Sequence, residues 1–177
     1  DSMAVALLRE RKAGEHARVG FVELFFDLVF VFAITQLSHF LIHHPTPMGA
    51  LEAAMLLAAV WWSWNYTSWV TNWLDVERGP VRLAMFAIMG GGLLMAIALP
   101  EAFGERGMLF AGAFVAVLVG RPLFVLWAAR NEPMLRANFL RILIWGVLSG
   151  AFWIAGGAVH GEARLGLWLA ALLIEYS

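Results

Sequence analysis

The sequence predicts an all-α fold, a polytopic transmembrane helical bundle, and three observations carry that expectation. Of 177 residues, 62% are hydrophobic and only 14% charged, with a mean hydropathy of +0.76, whereas a soluble domain is about half apolar and about a quarter charged. The apolar residues form continuous runs rather than an alternating pattern, which excludes a transmembrane β-barrel. Between the runs stand turn or charge signals: "HHPTP", "DVERGP", "PEAFGERG", "RNEPMLR" and "HGEAR".

A membrane-crossing helix needs about 20 mostly apolar residues. On that measure the chain divides into six membrane segments, near 20–42, 49–73, 81–100, 107–129, 138–159 and 164–177. Residues 1–19 form a basic N-terminal arm, and 20–177 a single transmembrane domain. In the arm, Met3, Val5, Leu7 and Leu8 precede a basic cluster, the pattern of a short interfacial amphipathic helix. The first apolar run is too long and too rich in Phe to be a signal peptide, and no small-residue cleavage site follows it. The sixth segment is 14 residues, roughly 21 Å of helix, short of a hydrocarbon core of about 30 Å. The chain is therefore expected to be the first half of a longer protein, its last membrane helix truncated.

Basic residues set the expected orientation. Arg9, Arg11, Lys12, Arg18, Arg78, Arg82, Arg130, Arg136 and Arg141 would lie on one side, and only Arg106 and Arg164 on the other. This asymmetry predicts a cytoplasmic N-terminus, with Arg121 left inside the membrane.

The first segment, "ELFFDLVFVFAITQL", carries two acids one helical turn apart. At 100° per residue, Glu23, Asp27, Thr35, Ser38 and His39 share one half of the helix, facing protein or water. Phe25, Phe26, Val29, Phe32, Ala33 and Phe40 fall mostly on the other half, which can face lipid. An unpaired charge at that depth costs several kcal/mol, so an Asp27–Arg121 pair is expected, with Glu23 to Arg121 or Arg141 as the alternative. Glu175 would be a third buried acid, and Arg121, Arg141 and Glu175 are the candidate buried charge partners.

The second segment repeats a polar stripe without charge. Trp61, Asn65, Ser68 and Asn72 are spaced 4, 3 and 4, and amides and hydroxyls there can line a hydrated path or bond a neighbouring helix. Gly90, Gly91 and Gly92, and Gly146 with Gly150, suit close helix packing. His39, His43 and His44 lack a nearby carboxylate, so no metal site is expected. With no cysteine, thiol chemistry and Cys-type zinc sites are excluded. A net charge of −1 argues against a nucleic-acid partner. No nucleophile–base pattern or cofactor motif stands out, so neither a catalytic residue nor a cofactor is expected.

"VELFFDLVFVFAITQLSHFL", "WWSWNYTSWVTNWLD" and "LPEAFGERG…VGRPLFVLW…NFLRILIWGVLSG" resemble bacterial low temperature requirement A proteins, from about Val19 to the end. The resemblance implies a longer integral protein of the bacterial cytoplasmic (inner) membrane whose second half continues the pattern. The first helix alone is also similar to that of lysosomal and bacterial potassium channels marked by a Phe-Ser-Asp motif, through Glu23, Phe25, Asp27, Val29, Phe30, Ala33, Ile34, Thr35 and Leu37. That likeness implies a pore-lining helix with Phe25 and Asp27 as the motif and Ile34, Leu37 or Ser38, and Leu41 facing the pore. Phe26 stands where the motif has serine, and Phe21 where an arginine is expected.

The expected function is passage of a small ion or solute along a path lined by Glu23, Asp27, Ile34, Ser38, Asn65, Ser68 and Asn72. The partners are then the lipid bilayer and that ion or solute, with a homo-oligomer left open. The alternatives are a non-transporting membrane scaffold or sensor, in which the polar network only locks helices together, and a lipid-modifying membrane enzyme using Glu23, Asp27 and Glu175.

Overall fold

The computed structural model describes residues 21–71, 74–75, 78–129 and 132–176, without the Glu23 side chain. The N-terminal arm, and with it the expected interfacial helix, lies outside the described residues, as does Asn72. The described residues form six α-helices: α1 (Phe21–His43), α2 (Pro47–Thr71), α3 (Gly79–Ala98), α4 (Gly107–Ala128), α5 (Pro133–Ala158) and α6 (Glu162–Glu175). A 3₁₀ turn, Leu99–Glu101, follows α3.

Local chemistry sets the boundaries. Proline opens α2, α3 and α5 in the first turn, where its missing N–H costs no helical bond. Ahead of α2, the Thr46 hydroxyl accepts the Gly49 N–H at 3.0 Å and caps the helix. Ahead of α6 stands Gly161 at φ +63°, a left-handed conformation that favours glycine.

Only four of these helices are long and apolar enough to cross a membrane, with spans Leu24–His43, Gly79–Glu101, Gly107–Ala128 and Pro133–Ala158. This corrects the expected six membrane segments. Helix α2 has the length, 25 residues, but its second half, "WWSWNYTSW", replaces aliphatic side chains with indoles, hydroxyls and an amide. Helix α6 has only 14 residues.

Helix α4 is the centre of the bundle, packed between α3 and α5; α5 packs on α6, and α1 on α3 and α2. Helix α2 also touches α4 and α6, where the Tyr176 hydroxyl donates to the Ala58 carbonyl at 2.9 Å. Small residues permit the close seams. A Cβ at Gly92 would press on Val29 of α1, and one at Gly150 on Val115 of α4.

The buried stripe of α1 is Phe26, Phe30, Ala33, Leu37 and Phe40. The helical periodicity places Phe26, Ala33 and Phe40 on the half that can face lipid, and the structure buries them. They pack inward because apolar side chains suit lipid and a neighbouring helix equally, so shape against α3 decides the facing.

The radial arrangement is that of a membrane protein. Leu28, Leu83 and Ile144 are exposed at 60%, 70% and 61%, while Arg121 and Arg164 are buried at 2% and 1%. Arg164 joins two loops at one end of the bundle. Its Nη1 donates to the carbonyls of Ala102 (2.9 Å) and Gly104 (2.7 Å), and its Nε to those of Val159 (2.8 Å) and Gly156 (3.1 Å). A guanidinium, with five donors in a fixed fork, satisfies loop carbonyls that lipid would leave unpaired.

Candidate functional site

Two polar sites lie on different faces of α2. The first is built around Arg121, set in the apolar run of α4. Its Nη1 donates to the Ser63 carbonyl at 2.6 Å and to Thr67 Oγ1 at 2.7 Å, and its Cζ lies 4.7 Å from the centroid of the Tyr66 ring. Thr67 in turn donates its own hydroxyl proton to the Ser63 carbonyl at 2.8 Å, leaving lone pairs for the arginine. A buried cation is tolerated only with such partners, because desolvation costs several kcal/mol. The next residue, Pro122, has no N–H to return to the Leu118 carbonyl.

Leu118 and Arg121 help to line a cavity of about 540 Å³ that also takes in Trp62, Tyr66, Arg141, Trp145 and Glu175. On the far wall, Glu175 Oε1 accepts from the Ser149 hydroxyl and from Trp153 Nε1, the latter at 2.8 Å. Trp168 Nε1 donates to the Trp153 carbonyl at 3.0 Å, so this seam between α5 and α6 is hydrogen-bonded through successive indoles.

The second site is a groove of about 470 Å³ between α1 and α2, lined by Asp27, Ile34, Thr35, Ser38, His39, Trp61 and Trp64 among others. Asp27 Oδ1 accepts the Trp64 indole N–H at 2.9 Å. The Thr35 and Ser38 hydroxyls donate to the carbonyls of Val31 (3.0 Å) and Ile34 (3.1 Å) one turn back. Their protons are thus committed to the helix, and the oxygen lone pairs are what each hydroxyl has left to offer the groove.

The expected Asp27–Arg121 pair is therefore not formed. Asp27 is bonded to a neutral indole from α2, while Arg121 meets Ser63 and Thr67 on an adjoining face of the same helix. Asp27, Ile34 and Ser38 do share one groove. Of the α2 stripe, Trp61 reaches it, whereas Asn65 is exposed and Ser68 half-buried, and neither lines it. Arg121, Arg141 and Glu175 line the other cavity together, but Arg141 is exposed and bonds Asn138 at 3.5 Å, a correction to its expected burial. Asp27 and Glu175 lie in different cavities, so these two acids form no common cluster. Sequence reasoning missed Ser63, Thr67, Tyr66, Ser149 and Trp153. The spacing of Ser63, Thr67 and Thr71, at 4 and 4, was a usable sign, masked by the more polar amides of the neighbouring stripe.

An outward apolar surface, buried arginines and four membrane-length helices define a multi-pass helical membrane protein. The family of bacterial low temperature requirement A (LtrA) proteins matches residues 18–177, and the chain belongs to that family. An uncharacterized protein of Rhizobium meliloti (strain 1021) is 46% identical over 164 residues, covering 92% of this chain and 40% of the relative. The chain thus spans less than half the length of that relative. No solved structure matches it, and the potassium-channel likeness of the first helix finds no support in these comparisons.

Proposed function

We propose that this protein passes a small cation along the groove between α1 and α2. The observation that supports this reading is a set of oxygen acceptors gathered in an otherwise apolar groove. It holds the Asp27 carboxylate and two hydroxyls, Thr35 and Ser38, whose protons are committed elsewhere. A carboxylate held by a neutral indole keeps its charge available, and acceptor oxygens in an apolar wall favour a cation over an anion. Ile34, in the same wall, supplies the apolar surface between the polar positions. In this reading the protein lies in the bacterial cytoplasmic membrane with its N-terminus inside, as the asymmetry of basic residues favours.

The test is ion flux across liposomes carrying the full-length protein, under separate K⁺, Na⁺ and H⁺ gradients, beside Asp27→Asn. Cation flux that disappears in a folded Asp27→Asn variant is the expected result. Verified, oriented protein that passes no cation would overturn the reading. It would favour the scaffold or sensor alternative, to which the Arg121 and Glu175 networks also lend themselves because they bond α2 to α4 and α5 to α6.

A further inference from the structure

We infer that the cavity between α2, α4, α5 and α6 is a binding site for a small amphoteric molecule, one carrying an anionic oxygen group and an ammonium on a compact apolar body. Three of its wall residues present buried polar atoms with no hydrogen-bond partner among the described residues: Arg121 Nε, Tyr66 Oη and Glu175 Oε2. They are a donor, a group able to do either, and an acceptor. Buried polar atoms are rarely left unpaired, since each forfeits its hydration without replacing it, and a charged one forfeits more. All three residues line the one cavity, and with Arg141 they bring opposite charges and an aromatic hydroxyl to its wall.

The charges define the chemistry of that occupant. Arg121 and the exposed Arg141 favour an anionic oxygen group, and Glu175 favours an ammonium. Glu175 is held in place through Oε1 by Ser149 and Trp153, which leaves Oε2 as its free edge. Arg121 is held through Nη1 by Ser63 and Thr67, which leaves Nε. Each charged group is thus oriented by one atom and unsatisfied at another. Between them, Trp62, Tyr66 and Trp145 supply aromatic surface for the body of the ligand. At about 540 Å³ the cavity is of the size that takes a small organic molecule. This site is separate from the α1–α2 groove, so its fate is independent of the cation pathway.

The chemistry fits a free amino-acid-like zwitterion or an aminophosphate lipid headgroup, and the experiment distinguishes these sources. Calorimetric titration of the full-length protein in detergent would compare phenylalanine with phenethylamine, which lacks the carboxylate, and 3-phenylpropionate, which lacks the ammonium. Phosphoethanolamine forms a further soluble arm. Thermal stability in nanodiscs containing phosphatidylethanolamine or phosphatidylglycerol forms the lipid arm. The expected result is at least tenfold tighter binding of an amphoteric probe than of either truncated analogue, or selective stabilisation by phosphatidylethanolamine. Glu175→Gln should erase the preference for the ammonium, and Tyr66→Phe, which keeps the ring over Arg121, should weaken binding several-fold. Arg141→Gln, at the exposed edge, tests the anionic group without disturbing the buried network. Absence of binding in every arm, or binding indifferent to Glu175→Gln, Tyr66→Phe and Arg141→Gln in folded protein, would overturn the inference.

Discussion

Trp64 of α2 donates its indole N–H to the Asp27 carboxylate of α1 at 2.9 Å, the side-chain bond that joins the groove's acid to the facing helix. The bond fixes one carboxylate oxygen without neutralising the charge. Trp64→Phe keeps an aromatic ring and removes the donor. A hydrogen bond to a charged group contributes about 1.5–3 kcal/mol, less where it is solvated. Liposome flux for this variant is expected to fall several-fold, short of the complete loss expected for Asp27→Asn. Flux equal to wild type would mean that the indole does not orient the acid.

Thr67→Val tests the seat of Arg121. The substitution is nearly isosteric and removes the hydroxyl that accepts from Nη1 at 2.7 Å, leaving the Ser63 carbonyl. With the guanidinium buried, the variant should lose about 1–3 kcal/mol. A lowered melting temperature in detergent checks this, and an unchanged one would show that Arg121 finds an equivalent partner.

Arg164→Lys retains the charge and discards the fork. A lysine ammonium is a single point with three donors and cannot serve loop carbonyls on both sides, from Ala102 and Gly104 to Gly156 and Val159. A loss of about 2–4 kcal/mol is expected from the carbonyls left unpaired. Proteolysis in the loops near 102–106 and 159–161 should accelerate in parallel. Stability matching the wild type would reduce Arg164 to a topological charge.

Gly156→Ala probes the α5–α6 seam. A Cβ at this position would overlap the indole of Trp168, itself fully buried. Overpacking of this kind costs about 1–3 kcal/mol. Gly112→Ala is the matched control, because a Cβ there meets nothing within 4 Å and alanine favours helix by up to about 1 kcal/mol. Melting temperatures should separate the two variants in opposite directions.

The sequence by itself determined the all-helical membrane class and the family. Long apolar runs and isolated intramembrane charges are local properties, readable wherever the chain goes. It overcounted the spans because apolar length in α2 conceals a second half made of indoles and hydroxyls, which contribute little to partitioning into hydrocarbon. It also misassigned the faces of α1. In lipid there is no solvent to distinguish an outward phenylalanine from an inward one, so Phe26, Ala33 and Phe40 could be assigned only by the helix they meet. Charge pairing was decided in the same way. Asp27 and Arg121 sit on α1 and α4, which pack on α3 from two sides, and only the tertiary arrangement could give one to Trp64 and the other to Ser63 and Thr67.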